Sequence, residues 1–195
     1  MRQEKRMSLF TLEHSKAAYG ADFVVYCSAV VMLAAFLLLS GPRSQRLVLA
    51  VLVLAGLAGW TLVEYALHRF VMHGLQPFSR LHAQHHKRPT ARIYTPTLLS
   101  ATLIVTLVFL PAWAMSSFWQ ACSLTLGVLT GYLVYSITHH ATHNWRAGNA
   151  WTRRRKRWHA LHHQDGPQPG YYGVTSAFWD HVFGSARRPA ATAQH

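Results

Sequence analysis

Eleven of the chain's 14 histidines fall in four short strings, and imidazole nitrogens placed this way can hold metal ions. His68 and His73 stand in HRFVMH, and His82, His85 and His86 in HAQHH. His139 and His143 stand in HHATH, and His159, His162 and His163 in HALHH. Side chains three and four residues apart share a helix face, so each HxxHH presents three imidazoles together, and His139 pairs with His143. His140 lies about 100° around from His139 but is also three residues from His143, so spacing alone leaves both open. The five-residue step from His68 to His73 is not a one-face pair on a straight helix. It implies a helix end, or imidazoles turned toward two different metals.

Packing ten unpaired imidazoles together is costly, because buried polar groups need partners, and shared metal ions supply them. Structural zinc closes with four ligands, so two such sites use eight. Ten histidines give five per metal with a position left open, which suits iron that must meet oxygen, although zinc or copper can occupy such a site in purified protein. Soluble di-iron bundles rely on Glu and Glu-x-x-His ligands. Here the whole chain has six acidic residues, which points to an all-histidine site. The two cysteines, Cys27 and Cys122, form no CxxC pair and support neither a disulfide framework nor an iron–sulfur cluster.

The elements that must position these histidines are apolar helices. Phe23 to Pro42 is an uncharged run of 20 residues, Leu47 to Val63 one of 17, and Ile93 to Thr138 one of 46. A helix crosses the hydrocarbon core in about 20 residues, so the last run holds two spans, with a turn around Pro111, Ser116, Ser117 and Gln120. The expected spans are 22–41, 47–67, 96–113 and 119–138. They follow a basic N-terminal segment, 1–21, which is expected to precede a retained first span rather than a cleaved signal peptide. Residues 22–195 then form a single integral-membrane domain. Its fold class is an all-α membrane protein of about four transmembrane helices with a histidine-rich helical cap, 68–95 and 139–195.

The net charge of +13 would suit nucleic acid, but its distribution argues for a membrane. With four spans, 17 of the 19 Lys and Arg residues share the side that carries the histidines, and only Arg43 and Arg46 lie opposite. By the positive-inside pattern that side is cytoplasmic, and nucleic acid is not an expected partner. The run Arg153 to Arg157 lies just past the last span, where it is either a solvated face or a contact for anionic head groups.

In order and spacing these strings resemble the fatty acid hydroxylase/sterol desaturase superfamily. EYALHRFVMH (64–73), GYLVYSITHHATH (131–143) and YGVTSAFWDHVFG (172–184) are most similar to its fatty acid 2-hydroxylase branch. The resemblance covers residues 60–185 or so. It implies ten metal ligands, His68, His73, His82, His85, His86, His139, His143, His159, His162 and His163, with two iron ions as cofactor. It also implies His139 over His140, which falls where the family often has tyrosine and so takes a lining role. Ser136 and Asn144 depart from the family's common acidic residue and further histidine. The KRPTARIYTP loop is shorter than usual and lacks an acidic residue, which leaves the substrate open.

The function so implied is O₂-dependent hydroxylation of a lipid acyl chain. Electrons come from a separate cytochrome b5- or ferredoxin-like protein, no cytochrome b5 domain being fused, and a bacterial inner membrane is favoured over the endoplasmic reticulum. Desaturation shares the first hydrogen abstraction and is the alternative on the same site, and carotenoid hydroxylases resemble only the early strings. A metal carrier or transporter is the rival of another class. It is disfavoured because Phe23–Pro42 and Ile93–Thr138 hold no ionisable group besides Cys and Tyr. Glu64, Asp180 and Asp165 are candidate hydrogen-bond partners behind the metal-bound imidazoles. Tyr171, Tyr172, Phe178, Trp179 and Phe183 form an aromatic segment suited to interfacial anchoring or to a lid. His14, His181 and His195 lie outside every cluster.

Overall fold

The computed structural model describes residues 13–164 and 169–186. Four helical segments are long and apolar enough to cross a membrane: Lys16–Ser40, Arg43–Met72, Thr97–Met115 and Phe118–Asn144. No strand occurs among the described residues. The first span is α1, Lys16–Ser40, which begins ahead of the expected residue 22 because Ser15 caps it, its Oγ accepting from the Ala18 N–H at 3.1 Å. The second contains α2, Arg46–Ala66, and runs on without a break into a π-helical turn, Leu67–Met72. The third joins α4, Thr97–Ile104, to α5, Leu110–Met115, through another π turn, Val105–Phe109. Between second and third spans lies α3, Phe78–Lys87.

The turn at Ser116 and Ser117 ends the third span, and Ser117 caps α6, Phe118–Asn144. α6 continues six residues beyond the expected end at 138, so His139 and His143 ride on helix rather than on a loop. It is also the central element: half of its apolar window is buried, against 6% for α1 and 22% for the second span. α2 meets it through glycine. A Cβ on Gly127 would stand 2.1 Å from the Val53 carbonyl oxygen, and one on Gly56 2.4 Å from that of Leu124. Small residues let two backbones approach this closely, which is how helices associate where lipid removes the hydrophobic drive. Above Gly127 the Trp60 ring takes the space beside Gly131 and packs edge-on to Tyr132, with ring centroids 5.4 Å apart.

The outward faces carry exposed apolar side chains, among them Met32 and Leu39 on α1, Leu54 on α2 and Leu107 in the third span. Past the bundle, α7, Ala150–His162, opens with a capping box at Asn149 and Thr152, and α8, Phe178–Val182, closes the described chain.

Candidate metal centre

The histidines converge at one end of the bundle in two groups. The first contains His68, His73, His82, His86 and His162, with one ring nitrogen of each within 4.8 Å of all the others. The second contains His85, His143, His159 and His163 on the same criterion. His139 adjoins the second: its Nε2 is 3.1 Å from that of His85, and its ring centroid is 4.9 Å from those of His143 and His159. His140 joins neither, its Nδ1 lying 2.9 Å from the Tyr19 hydroxyl on α1.

Local geometry explains the sorting. Five residues on an α-helix turn through about 500°, leaving His73 about 140° from His68. The π turn adds a residue to that stretch, and the His73 N–H donates to the His68 carbonyl at 3.2 Å. Both imidazoles therefore enter the first group, and the alternative of two different metals for this pair does not hold. The HxxHH triplets behave in the opposite way. Neighbours such as His85 and His86 point about 100° apart, so α3 sends His82 and His86 to the first group and His85 to the second. α7 likewise sends His162 to the first and His159 and His163 to the second. The rings of His86 and His163 stack between the groups at 4.2 Å and 13°.

The donor set fits a metal pair. Burial holds His82, His159 and His162 well below the usual imidazole range, and nearby histidines push the same way. Burial also lowers His73 to about 4, and His85 and His163 to about 3. At neutral pH these rings are uncharged and offer lone pairs. His162 donates its Nδ1–H to the Gly170 carbonyl at 2.8 Å, which turns a bare Nε2 inward, 3.1 Å from the Nε2 of both His73 and His86. His68 donates to the Tyr172 carbonyl in the same way, its Nε2 standing 3.0 Å from that of His82. Nitrogens bound at about 2.1 Å stand about 3.0 Å apart at right angles and about 3.4 Å apart at tetrahedral angles. The nearest ring nitrogens of the first group stand 3.0–3.1 Å apart, close enough to share one ion.

Behind the first group stands a support that sequence spacing did not reveal. Among the described residues, neither Glu64 nor Asp180 accepts from an imidazole. Asp180, fully buried, accepts from the N–H groups of Tyr172 and Gly173, both at 2.8 Å, and from the Ser185 hydroxyl at 2.7 Å. Glu64 accepts from the N–H groups of Val174 and Thr175, at 2.6 and 2.9 Å, and from the Thr175 hydroxyl. The carboxylates therefore hold the loop whose carbonyls hold the imidazoles. Gly170 and Tyr171 turn that loop with φ of 68° and 50°, a conformation non-glycine residues rarely adopt. The adjacent glycine in GPQPGYYG was the available signal. Asp165 and His195 lie outside the described residues. Tyr172 is a wall of the site, its ring 5.4 Å from His73 and 5.5 Å from His162, whereas Phe178 and Phe183 point outward.

Comparison with known proteins agrees with this arrangement. The family model for fatty acid hydroxylase matches residues 51–185. A dihydroceramide fatty acyl 2-hydroxylase of Arabidopsis thaliana is 34% identical over 70% of this chain and 61% of its own length. A ceramide very long chain fatty acid hydroxylase of Schizosaccharomyces pombe is 33% identical over 67% of this chain and 40% of its own. The chain thus spans less than two thirds of these relatives. A solved structure described as full-length scs7p, with only the hydroxylase domain visible, superposes with a TM-score of 0.75 at 27% identity, covering 91% of this chain and 70% of that one. By sequence and by fold, the chain belongs to the fatty acid hydroxylase family.

Proposed function

We propose that this protein hydroxylates an acyl chain of a membrane lipid, using O₂ and two electrons from a separate donor protein of cytochrome b5 or ferredoxin type. The observation that carries this reading is the pair of adjoining imidazole groups, fed by the same two cap helices and set at one end of an apolar bundle. The ten histidines His68, His73, His82, His85, His86, His139, His143, His159, His162 and His163 are the proposed ligands of two iron ions, and zinc can fill the same nitrogens. Iron bound there supplies O₂ activation and abstraction of hydrogen from an unactivated carbon.

The balance is one C–H bond, one O₂, two electrons and two protons giving one C–OH and one water. The chain's own part is placement. The ends of α2 and α6 set the imidazoles where a lipid head stays wet while its chain remains among apolar side chains. The 170–172 turn fixes the ring orientation of His68 and His162. Tyr172 closes the first group on one side. With 17 of 19 basic residues on the histidine-bearing side, that side is cytoplasmic, at a bacterial inner membrane.

The test is expression in a host lacking hydroxylated acyl chains, grown under ¹⁸O₂, with lipid mass spectrometry. Lipids heavier by one labelled oxygen are expected, and none from the His162→Ala variant. Label from water would replace this reading with hydratase or hydrolase chemistry. Lipids lighter by two hydrogens would make the enzyme a desaturase.

A further inference from the structure

The arginine run on α7 and the short helix α8 enclose a recess that the histidine centre does not use. Arg153, Arg154, Arg157, Trp158, Tyr171 and His181 line an open cavity of about 490 Å³. The three arginines are exposed, and among the described residues none forms an ion pair; both pairs found there belong to Glu13. Trp158 is the wall. The Arg154 guanidinium lies 4.3 Å from its ring centroid and that of Arg155 4.0 Å, while Tyr171 stacks within 18° of parallel at 6.4 Å. Cations held over an aromatic face keep a fixed direction, so the charge of Arg154 is aimed rather than diffuse.

α8 carries the other wall of this recess and packs on the second span. Trp179 donates its indole N–H to the Thr61 hydroxyl at 2.9 Å, and Phe183 stacks on Tyr65 at 5.4 Å, so α8 lies along the second span. Phe178 and Val182 of α8, and Phe183 just after it, are more than half exposed. His181 of the same helix lines the cavity. A cationic recess therefore opens next to exposed apolar side chains of a helix packed on the second span.

We propose that this recess binds the phosphate of an anionic membrane lipid, with the head group among Arg153, Arg154 and Arg157 and the acyl chains along Phe178 and Val182. Guanidinium forks match phosphate oxygens in pairs, and the aromatic wall suits an interfacial position. Free phosphate would meet the same arginines but gain nothing from the apolar side chains. The site is separate from the histidine groups and stands or falls independently of the hydroxylase reading.

Native mass spectrometry of the full chain in detergent, offered phosphatidylglycerol or phosphatidylcholine, tests it. Retention of phosphatidylglycerol should exceed that of phosphatidylcholine, and the preference should fall roughly fivefold for each arginine lost in Arg154→Gln/Arg157→Gln. Phe178→Ser should weaken lipid retention, and millimolar inorganic phosphate should not displace the lipid. Equal retention of the two lipids, an undiminished preference in the double variant, or displacement by inorganic phosphate would each overturn the proposal. If the double variant cannot be purified, the ratio of the two lipids on the unmodified protein decides alone.

Discussion

In the first histidine group, His68 and His162 each give an Nδ1–H to a backbone carbonyl of the 170–172 turn. In the second, the buried Nδ1 atoms of His85 and His159 meet no hydrogen-bond partner among the described residues, and ring direction follows from how α3, α6 and α7 pack. One group is thus oriented by a loop that arrives from far along the chain and is itself clamped by Glu64 and Asp180. The other is oriented by helices already held against the bundle, where Lys156 of α7 reaches back to the carbonyls of Thr142 and Trp145. A fault in the C-terminal segment should therefore reach the first group and spare the second.

The largest separation of the two groups comes from removing a ligand of one. Elemental analysis of iron-reconstituted protein should give close to two metal ions per chain. His162→Ala should leave about one, because it deletes an anchored first-group nitrogen and leaves the second-group set complete. Loss of both ions would show that the groups are not separable, and an unchanged count would remove His162 from the ligand set.

Next in size is Asp180→Ala. It strips the carboxylate from the N–H groups of Tyr172 and Gly173 and from Ser185, so the carbonyls facing His68 and His162 lose their support. Changes behind a metal ligand cost about 10–100-fold in affinity. One of the two ions should therefore dissociate that much more readily in a chelator titration, with the other unchanged. Equal weakening of both would mean that Asp180 supports the whole cap rather than the first group. Glu64→Gln keeps an acceptor toward Val174 and Thr175 and should have the smaller effect.

How much of this was legible in the sequence depends on whether a side chain carries the information. The helices were legible because uncharged runs have a length, and the histidines because spacing of three and four has a meaning on a helix. The two-group sorting was not. It depends on a π turn between His68 and His73, and nothing in LHRFVM marks where an extra residue enters a helix. The strings HAQHH and HALHH look like single-direction triplets, yet adjacent histidines diverge enough to serve two centres. The support of the first group was hidden for another reason: its acceptors are the carbonyls of Gly170 and Tyr172, and every residue has a carbonyl. Glu64 and Asp180 could be picked out as scarce acids near the clusters, but what they bond to is backbone, which only the fold reveals.

Acid should destabilise the metal-free cap. His73, His85 and His163 have folded pKa values depressed below the ordinary 6.5, to about 4, 3 and 3. The unfolded chain therefore binds more protons, and stability is fully present above pH 6.5 and lost as pH falls from there toward 4 and 3. The buried His85 alone should lose about 2 kcal/mol between pH 8 and pH 5. Thermal unfolding of chelator-treated protein in detergent should show a lower midpoint at pH 5 than at pH 8. A midpoint that is flat or rises on acidification would mean that these rings are hydrated in the metal-free protein. Restoring metal should remove most of the difference, since bound nitrogens cannot take protons until the ion leaves.

The smallest effect is expected at the edge of the second group, where His139 and His140 are adjacent and only one faces the other histidines. The His139 Nε2 lies 3.1 Å from that of His85, and its ring stacks on Tyr135 at 5.9 Å. The His140 ring turns to α1, bonded to the Tyr19 hydroxyl and edge-on to Phe23 at 5.8 Å. His140→Tyr exchanges one aromatic polar ring for another in a contact with α1, so it should change activity by less than about twofold and leave metal content untouched. His139→Ala, made beside it, should lower the occupancy of the second group. If instead the tyrosine variant sheds metal while His139→Ala keeps it, α6 is rotated by one residue from the orientation described, and the fifth nitrogen of the second group is His140.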